Sequence, residues 1–198
     1  MENKIYALMG AHGSGKTTLA ASLLDMGINF IPVYTTWDFG QQTRSRQSNT
    51  CRKLFNLVTR AEFEHMDFVI EFTHKGEAYG YRKDDILNSL RDHTISIMVL
   101  EIPGLKPMSK LIKKKLETIF LMVDYVTLVD RLLRMGCSND EIKRHLQYAE
   151  SNKEFDLWKI CNHIIRNTCD KDTALIQLLA IMGLTTLLPQ AEFDKLIK

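Results

Sequence analysis

Residues Gly10-Ala11-His12-Gly13-Ser14-Gly15-Lys16-Thr17 satisfy the spacing G-x-x-x-x-G-K-S/T at every fixed position. No other segment restricts the backbone as strongly. Glycines at both ends let a loop turn tightly, so that successive N–H groups point inward and form a concave seat for phosphate oxygens. At this spacing the lysine, Lys16, reaches the β- and γ-phosphates, and the Thr17 hydroxyl ligates magnesium. The flanks suit such a loop. Lys4 to Met9 is a short apolar run fit for a buried strand, and Thr17 to Leu24 is helix-forming, so strand, loop and helix N-terminus arrive in the required order. A glycine-rich turn with an unrelated lysine would require both the pattern and its setting to be accidental. A nucleoside triphosphate seat is therefore expected over Gly10, Ala11, His12, Gly13, Ser14, Gly15, Lys16, Thr17 and Thr18, with Mg2+ at Thr17. His12 falls at a variable position and reads as a tolerated loop residue, not a catalytic base.

Such a seat needs a domain around it, and 198 residues suffice for one domain with a substantial core. The net charge of +2 leaves no large basic excess, so neither nucleic acid nor an anionic membrane is expected as a partner. No apolar run approaches the roughly 20 residues needed to cross a bilayer, and the start lacks the apolar core of a signal peptide. Cys51, Cys137, Cys161 and Cys169 show no C-x-x-C spacing and read as reduced thiols of a cytoplasmic protein.

Along the chain, strand character recurs at Asn29–Tyr34, Leu54–Val58, Asp67–Thr73, Thr94–Ile102, Thr118–Val123 and His163–Arg166. Helical segments are expected at Tyr81–Leu90 and Lys106–Lys115, from Val126 onward, and at Lys171–Met182. Thr59 with Glu62, and Ser138 with Glu141, form capping boxes that open helices. The near-continuous apolar run at Thr94–Ile102 suits a parallel strand covered on both faces, and alternation of strands and helices indicates an α/β doubly wound parallel sheet. Its Glu101, at the strand's C-terminal end, can orient magnesium through water or simply be solvated. The strand-bearing stretch between the two halves of the sheet suggests a small β-rich substrate lobe.

Beyond the loop, several segments match one family in order and approximate spacing. They are Phe55-Asn56-Leu57-Val58-Thr59 with Glu62-Phe63, Phe68-Val69-Ile70-Glu71, Ala78-Tyr79-Gly80, Arg131-Leu132, Arg134-Met135-Gly136, Ile142 to Leu146, Phe155-Asp156 and Ile164-Ile165-Arg166-Asn167. In these the chain resembles the guanylate kinases, from about residue 4 to 182. The resemblance implies a P-loop NTPase fold, a parallel sheet flanked by helices, in a single domain spanning 1–198. It divides that domain into a core over about 1–34 and 93–182, a monophosphate-binding lobe over about 35–92, a helical lid over about 126–150 and an extension over 183–198. It also implies magnesium-assisted transfer of the γ-phosphoryl of ATP to GMP or dGMP. Lys16, Arg131 and Arg144 would then be catalytic, with Arg134 and Asn167 at the ATP side and Asn167 near the adenine. Outside such a match, each arginine would read as a solvated helix charge.

The same resemblance places the monophosphate between Thr36, Arg44, Arg46, Phe55, Glu71 and Tyr79, with Glu71 accepting hydrogen bonds from the guanine. Departures concentrate there. Trp37 follows Thr35-Thr36 where the family has arginine, Phe55 replaces a tyrosine, Tyr81 replaces a small hydroxyl residue, and Pro103 replaces an aspartate. The loop from Glu71 to Tyr79 is one residue shorter than in the family. Losing base-reading partners changes specificity. Two other readings therefore stay open: a kinase of the same fold with a different small acceptor, and a non-catalytic binding module. The oligomeric expectation is a monomer or homodimer, with small nucleotides as the partners.

Overall fold

A computed structural model describes residues 2–38, 53–74, 76–168 and 170–185. Arg44, Arg46, Cys51, Arg52 and Cys169 lie outside the described residues, as does the extension from 186 onward.

A five-stranded, all-parallel sheet forms the centre. Its strands are β1 (Lys4–Met9), β2 (Asn29–Phe30), β7 (Ile95–Val99), β8 (Leu116–Met122) and β9 (His163–Arg166), in the order β2-β7-β1-β8-β9. Strand β1 shows why it is central. Ile5, Ala7 and Met9 enter one apolar cluster while Tyr6 and Leu8 enter the other, so both faces are covered. Helices α1 (Lys16–Asp25) and α7 (Lys171–Ile181) cover the second face through Leu19, Leu23, Ala174 and Leu178. The first face meets helix α4 (Ile102–Ile112) through Met108 and Ile112.

A smaller sheet packs beside that face. It comprises β3 (Val33–Thr35), β4 (Phe55–Leu57), β5 (Phe68–His74) and β6 (Glu77–Arg82), in the order β4-β3-β6-β5. Short helix α2 (Arg60–Glu64) and helix α3 (Lys83–Asp92) flank it. Val33, Ile70 and Tyr81 carry its inner face into the shared core. A helical hairpin, α5 (Tyr125–Arg134) and α6 (Asn139–Ser151), follows β8. The capping boxes at Thr59–Glu62 and Ser138–Glu141 both form, each with its reciprocal hydrogen bonds.

The strand expected over Thr94–Ile102 covers only Ile95–Val99, and three other differences from the sequence reading have a clear physical reason. Asn29–Tyr34 is not one strand: β2 belongs to the large sheet and β3 to the small one, with Ile31-Pro32 between them. Pro32 has no N–H to continue a ladder, so the chain changes sheet there. Tyr81 and Arg82 extend β6, and the helix begins only at Lys83. The cross-strand pairing of Tyr81 with Ile70 overrides local helix propensity. Helix α4 starts at Ile102 rather than Lys106, because Pro103 in its first turn needs no N–H partner there.

Candidate active site

The glycine loop leaves the carboxyl end of β1 and enters α1, the edge of a parallel α/β sheet where ligands collect. Gly10, Gly13 and Gly15 take φ values of 146°, 85° and 102°, conformations that side chains rarely adopt. A Cβ on Gly10 would stand 2.9 Å from both the Leu121 carbonyl oxygen and Ser14 Oγ. One on Gly15 would stand 2.7 Å from Asn167 Nδ2. The two glycines that bound the motif are thus fixed by tertiary contacts as well as by backbone angle.

Lys16 lies inside the loop and donates from Nζ to the carbonyls of Gly10 at 2.5 Å and Ala11 at 3.3 Å. Glu101 Oε1 stands 3.6 Å from the same nitrogen. That places Glu101 at the loop as the N-cap position of α4, just beyond the end of β7. The Ser14 hydroxyl is buried and has no hydrogen-bond partner among the described residues. Thr17 stands half-buried in the first turn of α1, beside Lys16. No group of three or more His, Cys, Asp or Glu side chains that could hold a metal occurs among the described residues. An oxygen set of Thr17 and Glu101 with phosphates and water fits magnesium, a hard cation that keeps most of its waters.

A second acidic residue at the loop is not evident from the motif. Glu154, the first residue of a 3-10 turn over Glu154–Lys159, is 5% exposed. Burial, reinforced by the nearby Glu101 charge and opposed by Lys16, pushes its carboxyl up to about 7. No motif marks it, since a lone glutamate after a helix has no sequence signature; only its burial beside Lys16 does.

The helical hairpin sits directly on the loop. Ala11 joins Leu128, Leu132, Ile142, Leu146 and Ala149 in one apolar cluster. The His12 and His145 rings stack with centroids 4.3 Å apart. Arg131, partly buried on α5, donates from Nη1 to the Ser14 carbonyl at 3.1 Å and from Nη2 to the Asn167 carbonyl at 2.7 Å. Desolvation lowers its pKa. Arg134 is instead directed along α5 to Asp130 at 2.9 Å, and Arg144 is exposed on α6. Arg131 and Asn167 therefore meet at the loop, while Arg134 and Arg144 stand apart from that contact.

On the small sheet, Phe72 and Tyr79 pair across β5 and β6 with stacked rings 5.3 Å apart, and Phe55 meets Tyr79 edge-on at 6.4 Å. These rings pack against the shared core. Glu71 pairs with Gly80 and is exposed. Neighbours along a strand point to opposite faces, so Glu71 lies on the side away from Tyr79. The Thr36 hydroxyl donates to Glu77 Oε2 at 2.6 Å and accepts from the Ala78 N–H at 3.0 Å, which ties it to the start of β6. Tyr81 is fully buried and its hydroxyl donates to the Val99 carbonyl, joining the two sheets. Cys137 and Cys161 form no disulfide among the described residues.

No protein-family model and no curated protein matches this sequence. A guanylate kinase from Anaplasma phagocytophilum superposes on the chain with a TM-score of 0.61 at 17% identity, covering 91% of this chain and 85% of that one. The chain shares that protein's fold, a parallel five-stranded sheet flanked by helices. A shikimate kinase from Bacteroides thetaiotaomicron matches at a TM-score of 0.49 and 16% identity, over 91% of this chain and 99% of that one. Within this fold, the glycine loop, Lys16 and Glu101 share one end of the large sheet, and the aromatic face of the small sheet packs into the same core. No helix among the described residues is long and apolar enough to cross a membrane.

Proposed function

We propose that the protein is an ATP-dependent phosphotransferase that passes the γ-phosphoryl group to a small acceptor. The observation that carries this reading is the glycine loop with Lys16 folded inside it and Arg131 reaching it from the helical hairpin. Amides of the loop and the start of α1 receive the β- and γ-phosphates, and Lys16 turns from the Gly10 carbonyl onto them. An acceptor oxygen then bonds to the γ-phosphorus as the bond to the β–γ bridging oxygen breaks, leaving ADP. Little covalent chemistry is asked of the protein, so positive charge at Lys16, Arg131 and Arg144 does most of the work. Thr17, with Glu101 through water, would hold magnesium, which would supply further neutralisation of the phosphate oxygens. Closure of the hairpin over the loop excludes water, which suppresses hydrolysis of ATP.

For the acceptor, the resemblance favours GMP or dGMP, held by Tyr79, Thr36 and Phe55 with Arg44 and Arg46, and with Glu71 reading the guanine. A second reading, a different nucleotide or small metabolite, is favoured by two features. Glu71 faces away from Tyr79, and Tyr81 fills core space where the family carries a small hydroxyl residue. ADP formation measured with GMP, dGMP, AMP, CMP, UMP and a panel of phosphorylated and hydroxylated metabolites separates the two, with Lys16→Met as the control. No ADP above that control with any acceptor would overturn the proposal.

A further inference from the structure

The Ser14–Gly15 peptide is where the loop, helix α5 and the end of β9 meet. Its carbonyl, on Ser14, accepts two hydrogen bonds, from Asn167 Nδ2 at 2.7 Å and from Arg131 Nη1 at 3.1 Å. Neither donor is adrift. Asn167 is 5% exposed, and its own N–H donates to the Met122 carbonyl at 2.8 Å, so the side chain is hung from the end of β8. Arg131 spans two acceptors at once, because its Nη2 donates to the Asn167 carbonyl at 2.7 Å. Gly15 completes the arrangement. Any Cβ there would stand 2.7 Å from Asn167 Nδ2, so only glycine lets the amide reach the loop.

The consequence follows from peptide geometry. No cis peptide bond occurs among the described residues, and a trans peptide holds its C=O and N–H in one plane, pointing in opposite directions. A Ser14 carbonyl pinned by Asn167 and Arg131 therefore fixes the Gly15 N–H in the opposite direction. Left free, that peptide could rotate and present an oxygen to the phosphates instead. Repulsion between that oxygen and a polyphosphate would outweigh the single donor lost.

We propose that Asn167 and Arg131 are positioning residues that brace the Ser14–Gly15 peptide with its N–H facing the phosphate seat, so that both act on polyphosphate binding rather than on the base. The inference rests on the phosphotransferase reading and assigns Asn167 a role other than contact with adenine. It also gives Arg131 a role in shaping the seat that does not depend on its touching a phosphate.

Inorganic tripolyphosphate tests it, because that probe has phosphates and no base. The full chain and its Asn167→Ala and Arg131→Lys variants are titrated by calorimetry with Mg-ATP and with Mg-tripolyphosphate, well below each melting temperature. Lysine keeps the charge but cannot span both carbonyls. Each variant is expected to lose about three- to tenfold in affinity for both ligands alike, the scale of one hydrogen bond. If Asn167→Ala does not fold, Asn167→Asp keeps the shape and offers Ser14 no donor, and the same loss is expected. Weakened ATP binding with unchanged tripolyphosphate binding would assign Asn167 to the base and overturn the inference. Unchanged tripolyphosphate binding by Arg131→Lys would remove Arg131 from the brace. A wild-type chain that binds ATP but transfers no phosphate would overturn the phosphotransferase reading while leaving the brace intact. One that binds neither ligand would overturn both.

Discussion

Phe72 stacks on Tyr79 across the β5–β6 pair, ring centroids 5.3 Å apart and planes within 9°. This register sets the chemistry of the small sheet. It turns both rings toward the shared core and, one residue along, turns Glu71 to the exposed side. Glu71→Gln is accordingly expected to change the KM for the acceptor found in the assay panel by less than about threefold, the scale of a surface substitution. A loss of a hundredfold or more would mean that Glu71 does reach the acceptor.

Tyr81 links the sheets through its hydrogen bond to the Val99 carbonyl. Removing the hydroxyl leaves a carbonyl short of a partner, while the ring still fills its space. Tyr81→Phe should lose about 1–3 kcal/mol of stability. Denaturant melts of the two proteins decide it; superimposable curves would show that the bond contributes nothing.

Glu154 makes stability depend on pH. Its carboxyl is raised from an ordinary 4.5 to about 7 in the folded chain, so between these values the folded state keeps a proton that the unfolded chain has released. Stability from this group is complete below about pH 4.5 and is lost as pH rises to about 7, by up to about 3 kcal/mol. Glu154→Gln removes that slope and is expected to be the more stable protein at pH 8. Chemical denaturation of both proteins at pH 5 and pH 8 measures it, and parallel pH dependence would sink the assignment.

Gly15→Ala combines two penalties. Its φ of 102° lies in a region that costs an L-residue about 1–2 kcal/mol, and the new methyl would strike Asn167 Nδ2. A lowered melting temperature together with loss of tripolyphosphate binding is expected. A variant that melts and binds like the wild type would show that the loop relaxes freely at this point.

Local patterns announced much of the fold. The eight-residue loop carried its own strand and helix with it, and the two capping boxes were legible because they depend on neighbours in sequence, while His163–Arg166 was legible from its β-branched run although its pairing is with β8. The change of sheet at Pro32 and the extension of β6 through Arg82 were not, since strand pairing is a contact between distant segments. The candidate site divides in the same way. Residues 10–17 follow from spacing alone, and Lys16 and Thr17 need only the loop to be placed. What the tertiary structure alone decided is the company they keep. Arg131 and Asn167 on the Ser14 carbonyl, Glu154 buried beside Lys16, and Glu71 turned from Tyr79 all depend on which strands lie side by side and in what register. Sequence spacing fixes a local conformation because its hydrogen bonds span a few residues. Register and burial arise only when segments a hundred residues apart are packed together.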